Sequence, residues 1–146
     1  MKKCLKRVSL ITVGILCLLS VNTTAWAGMA IIAHPDNSQH GVNVQTIADM
    51  YMDKLQRFSN GSKVEPVDQA KGSDIREKFY RSVLKMTERE ANRYWAKRKF
   101  TGKAQAPKEL TGDRAIKEWV AATPGGLGYI DGKSLDKSVK VLLIIP

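Results

Sequence analysis

Cysteine stops at position 17. The thiols of this 146-residue chain are Cys4 and Cys17, so nothing beyond them can form a disulfide or perform thiol chemistry. Histidine is nearly as scarce, with His34 and His40 alone in one polar stretch. A nucleophilic triad needs a histidine base beside a serine or cysteine and an orienting acid, and no serine here sits in a nucleophile-elbow pattern. His34 and His40 with Asp36 fall short of the three or four spaced ligands that a stable zinc site takes. A Walker lysine loop and a GxGxxG run are both missing. So are a second apolar run of membrane-spanning length, an internal repeat and a low-complexity segment. The sequence therefore reads as a non-enzyme with no metal or cofactor. Aromatic residues make up only 7%, yet 43% of the chain is hydrophobic, too much for a disordered polymer. The length allows one domain and not two.

Lys2, Lys3, Lys6 and Arg7 precede the apolar run Val8–Val21, and Ala25-Trp26-Ala27 follows with a small-x-small pattern. At 14 residues the run is shorter than the ~20 a spanning helix needs. Residues 1–27 thus read as a cleavable signal peptide and 28–146 as the folded domain, with no stable membrane span after cleavage. Gly14-Ile15-Leu16 lacks the small residue that lipoprotein processing at Cys17 would want. Removing the signal takes both cysteines and leaves 20 Lys+Arg against 14 Asp+Glu, a net charge of +6. In an exported protein that excess favours small anions or an acidic envelope surface over nucleic acid.

The run Ala30–Ala33 closed by His34-Pro35-Asp36-Asn37 reads as a buried strand entering a turn. Val44, Ile47, Ala48, Tyr51, Met52 and Leu55 share one helical face. Asn60-Gly61 marks a turn, and Lys63–Asp68 reads as a modest strand that Pro66 places at an edge. Ser73 is the expected cap of a helix whose stripe is Ile75, Phe79, Val83 and Met86. Thr87-Glu88-Arg89-Glu90 has capping-box spacing, opening a helix that turns Ala91, Tyr94 and Trp95 inward. Thr101–Glu109 reads as loop. Asp113 is the expected cap of a helix carrying Ile116, Trp119 and Val120, which Pro124-Gly125-Gly126 ends. Leu127–Ile130 and Val139–Ile145 close the chain as strands. Strands alternating with helices place the domain in the α/β class.

Gly72-Ser73-Asp74 is the strongest candidate for ligand chemistry. A helix start offers unpaired backbone N–H groups and the positive end of the dipole, and a serine adds a donor. The competing reading is that Ser73 only caps its helix, and Asp74 favours it by placing a fixed negative charge in the first turn. Arg93, Lys97, Arg98, Lys99 and Lys103 surround Trp95 and Phe100. They form either a solvated helix face over core aromatics or a docking patch for an acidic partner.

The ordered set Ile47-Ala48-Asp49-Met50-Tyr51, Val64–Val67 leading to Gly72-Ser73, Tyr94-Trp95 with Phe100-Thr101-Gly102, and Pro124-Gly125-Gly126-Leu127-Gly128-Tyr129 resembles the periplasmic phosphate-binding proteins of phosphate ABC transporters. The resemblance extends from about Ala30 to Ile145 and implies a single periplasmic-binding-protein-like lobe with a mixed sheet flanked by helices. It implies inorganic phosphate or a similar oxyanion as ligand, and an ABC permease or another envelope protein as partner. In the two-lobed relatives a serine-glycine-threonine turn and an upstream arginine hold the anion between lobes. Here Ser73 matches the turn, Asp74 and Ile75 replace its glycine and threonine, and Asp68-Gln69 stand near the arginine's place. Arg76, three residues past Ser73, is the cation expected to reach back. The expected site is therefore Gly72, Ser73, Asp74 and Arg76, with self-association or a partner supplying a second wall. The alternative is an envelope interaction module that kept the lobe and lost the ligand.

Overall fold

A computed structural model describes residues 28–146; the signal peptide expected at 1–27 lies outside them. Five strands form one mixed sheet: β1 (Met29–Ala33), β2 (Glu65–Gln69), β3 (Lys108–Leu110), β4 (Gly126–Asp131) and β5 (Lys140–Ile145). Their spatial order is β3-β2-β4-β1-β5. β2 runs parallel to β3 and β4, while β1 is antiparallel to β4 and β5. The helices are α1 (Val44–Tyr51), α2 (Asp74–Phe79), α3 (Glu88–Phe100) and α4 (Asp113–Ala122). No helix of the described residues is long and apolar enough to cross a membrane.

The two-residue period of a strand sorts the core into two halves. Met29 and Ile31 of β1 face one cluster with Leu127, Tyr129, Ile47, Phe79 and Val83. Ala30 and Ile32 face the other, where Ile116 and Val120 of α4 meet Val67 and Ile130. The sheet is thus covered on one side by α1 and the α2 segment and on the other by α4. Gly128 permits this second contact, because a Cβ there would sit 2.8 Å from Ile116 Cγ2 and 3.0 Å from Val120 Cγ2.

Several expectations are corrected. At the end of the stretch read as loop, Lys108–Leu110 pairs with Val67–Gln69 as a fifth strand, so β2 lies inside the sheet. Pro66 is tolerated because it precedes the first β3 pair, Val67↔Lys108. α1 stops at Tyr51; Asp53 turns the chain with φ 57°, which leaves Leu55 39% exposed. The stripe helix is α-helical only through Phe79 and continues as a π-helical turn over Tyr80–Leu84. Gly112, not Asp113, occupies the cap position of α4. The Thr87–Glu90 capping box is present as expected: Thr87 N–H donates to Glu90 Oε2 at 2.7 Å, and Glu90 N–H to Thr87 Oγ1 at 3.3 Å.

α3 docks on the end of α1 through Tyr94, whose hydroxyl donates to the Met52 carbonyl at 2.7 Å, and Arg98, which pairs with Asp53 at 2.7 Å. Trp95 is buried edge-on against Tyr94, whereas Phe100, read with it as a core aromatic, is 93% exposed. Trp95→Ala should therefore cost ~3–5 kcal/mol in chemical denaturation. An unchanged midpoint would mean that Trp95 carries no packing energy.

Candidate functional site

β2 ends in buried polar residues, Asp68 and Gln69, at the point where the chain leaves the sheet for α2. The turn Ala70-Lys71-Gly72 reverses direction with Gly72 at φ 79°, in the left-handed region that glycine enters without a Cβ penalty. Ser73 follows in an extended conformation at the cap position. Its hydroxyl, however, does not cap the helix; it donates backward to the Ala70 carbonyl at 2.9 Å. The first bond of the helix runs from Glu77 N–H to the Ser73 carbonyl at 3.1 Å. The backbone N–H groups of Asp74, Ile75 and Arg76 consequently meet no acceptor among the described residues.

Arg76 points the other way, into the protein, and is only 2% exposed. One Nη donates to the Gln69 carbonyl, and the other donates to Tyr80 Oη at 3.1 Å and lies 3.4 Å from Asp68 Oδ2. Its Nε is 3.0 Å from Glu88 and its Nη1 3.2 Å from Glu109. Three carboxylates from three elements thus surround one guanidinium. Asp68, 3% exposed, accepts from the hydroxyls of Tyr80 at 2.6 Å and Tyr129 at still closer range, and from Gln69 N–H at 2.9 Å. Burial pushes the Asp68 carboxyl above its usual range, while the Tyr129 and Tyr80 hydroxyls and Arg76 pull it back. Burial alone would lower the Arg76 guanidinium; Asp68, Tyr80 and Glu109 more than reverse that. The Tyr80 and Tyr129 hydroxyls are pushed far up by burial and by the charge of Asp68, so both remain protonated donors.

Outside this buried network lies a hollow of about 300 Å³ between the α2 segment and the start of α3. Gly72, Ser73, Tyr80, Met86 and Thr87 line it, with Arg81 and Arg89 also on its walls. Arg81 is paired with Glu77, whereas Arg89 has no carboxylate within ion-pair distance among the described residues. Of the expected site residues, Gly72 and Ser73 line this hollow, Asp74 follows them at the start of α2, and the Arg76 side chain is turned away into the buried network. Sequence reasoning missed Tyr80, Glu88 and Glu109 as partners of Arg76. The signal was available in part, because Arg76 and Tyr80 stand at i, i+4 beside the apolar stripe of Ile75 and Phe79.

No family model and no curated protein matches the chain. Solved structures do. A protein of Clostridium perfringens described as a phosphate ABC transporter substrate-binding protein, with bound phosphate, superposes with TM-score 0.64 at 21% identity over 81% of this chain and 45% of that one. An ABC-type phosphate transport receptor from Vibrio cholerae gives TM-score 0.62 at 20% identity over 79% and 45%. PstS from Borrelia burgdorferi gives 0.59 at 15% over 81% and 47%. The chain thus spans less than half the length of the proteins it matches, and at these identities the likeness is one of fold. The mixed sheet with flanking helices is the architecture this chain shares with part of each of those structures, in the α/β class expected from the sequence.

Removing the carboxylate at Asp68→Ala strips Arg76 of its one deeply buried counter-charge and leaves the Tyr80 and Tyr129 hydroxyl protons without their acceptor. The expected loss is ~3–5 kcal/mol of unfolding free energy in urea titration. A loss below ~1 kcal/mol would show that Glu88 and Glu109 suffice.

Proposed function

We propose that the chain is a non-enzymatic, exported solute-binding protein that takes phosphate or a similar small oxyanion at the Gly72-Ser73-Asp74 turn. In this reading the ligand meets the backbone N–H groups of Asp74, Ile75 and Arg76, and the Ser73 hydroxyl swings from Ala70 to add a donor. The observation that carries the reading is that these first-turn amides meet no acceptor among the described residues, Ser73 having turned its hydroxyl back to Ala70 instead of capping one of them. Unpaired amides at the positive end of a helix are a ready seat for an oxyanion. The likeness in fold to proteins named for phosphate transport supports the same ligand class. Within that setting the periplasm is the compartment and an ABC permease the partner to which the solute passes.

The seat is one-sided. Asp74 and Glu77 add negative charge nearby, and an anion resting on one wall keeps much of its hydration, so affinity is weak, with Kd on the order of 1 mM. A second copy or an envelope partner closing over the turn would tighten it.

The second reading, an envelope interaction module without a ligand, draws on a different observation: Arg76 is already neutralised by Asp68, Glu88 and Glu109. With its guanidinium facing three carboxylates inside the fold, Arg76 offers no charge to a solute at the turn.

Isothermal calorimetry with phosphate and with sulfate separates the two. The binding reading expects saturable heat at millimolar anion, and Ser73→Ala should weaken it ~5–30-fold, the worth of a hydrogen bond to a charged ligand. Absence of heat at millimolar phosphate and sulfate would leave the interaction module as the function.

A further inference from the structure

α3 divides its basic residues into two sets. Arg98 is spent within the fold, paired with Asp53 and lying 5.6 Å over the Tyr94 ring. Arg89, Arg93 and Lys97 recur every four residues along the side opposite Ala91 and Trp95, and all three are exposed. Phe100 lies on the same side, three residues past Lys97, and is 93% exposed. Lys99 and Lys103 flank it, also exposed. None of these five cations has a carboxylate within ion-pair distance among the described residues. Glu90, three residues before Arg93 on α3, is held by Thr87 in the capping box, with the charge of Arg93 adding a smaller pull on its carboxyl.

Nothing in the fold asks for this arrangement. Like charges at i, i+4 repel along a helix, and a bare phenylalanine in water gains nothing from folding. A row of cations ending in a projecting aromatic is instead the pattern that rests on an anionic bilayer, with the cations over the headgroups and the ring in the interface. We propose that the outer face of α3, through Arg89, Arg93, Lys97 and Phe100, docks this protein peripherally on an anionic lipid surface.

The shape favours lipid over an acidic protein. A specific protein interface buries ~800 Å² on each side around an apolar centre, whereas this stripe is one convex helix face with a single aromatic at its end. A headgroup plane supplies diffuse negative charge and requires no matching relief. Contact is peripheral, since no described helix could span a bilayer.

Co-sedimentation with vesicles tests the proposal, using phosphatidylglycerol-containing vesicles against pure phosphatidylcholine at low and high salt. Binding is expected to the anionic vesicles alone and to be reversed by ~0.5 M salt, which shortens the screening length to a few ångströms. Arg93→Glu with Lys97→Glu should weaken it at least ~25-fold, at ~5-fold per charge, and Phe100→Ser several-fold. These residues are exposed, so circular dichroism should report an unchanged fold in both variants. Failure to bind anionic vesicles, or binding indifferent to the charge reversal, overturns the proposal. So does binding to a soluble polyglutamate peptide as tight as to vesicles and untouched by Phe100→Ser, which would make the stripe a surface for acidic protein.

Discussion

A guanidinium buried at 2% exposure cannot be left alone, and the way Arg76 is compensated organises the end of the sheet where α2 begins. Asp68 reaches it from β2, Glu109 from β3 and Glu88 from the start of α3. Tyr80 passes a hydrogen bond from the cation to the anion, and Tyr129 on β4 donates to the same carboxylate. One cation thereby ties three strands and two helices together. Taking such charges out of water is costly, and removing one partner leaves the other buried without compensation. With Arg76 held by Asp68, the start of α2 is tied to the end of β2, and the Gly72-Ser73 turn lies between them on the wall of the hollow.

That constraint also separates what was legible in the sequence from what was not. β1, the Thr87–Glu90 capping box and the glycine turn into β4 depend on local chemistry: a short apolar run closed by a turn, a side chain three residues from its cap, and glycines where the backbone passes too close for a Cβ. They were read correctly. β3 was not, because Lys108–Leu110 has no alternation of its own and is a strand only because Val67–Gln69 offers it a partner. The end of α1 was set by the positive φ of Asp53, which the continuing stripe to Leu55 concealed. Of the two readings open for the Arg93–Lys103 cluster, core aromatics hold for Trp95 and not for Phe100, whose place on the wheel of α3 points away from Ala91 and Trp95.

At the candidate site the positions Gly72, Ser73, Asp74 and Arg76 were legible and the direction of two side chains was not. The Ser73 hydroxyl turns back to Ala70, and the Arg76 guanidinium turns inward to acids brought from 8 to 33 residues away along the chain. Such reach is invisible to spacing rules. Charge divides in a similar way on α3: Arg98 meets Asp53 within the fold, while Arg89, Arg93 and Lys97 on the outer side of the helix meet no acid among the described residues.

The central claim is that Arg76 belongs to the fold and that any anion is met by backbone. Nuclear magnetic resonance of the ¹⁵N-labelled protein during phosphate titration tests it most directly. The account expects saturable shifts at the amides of Asp74, Ile75 and Arg76, with the Arg76 side-chain Nε–H signal stationary. A moving Nε–H signal with silent first-turn amides would contradict it.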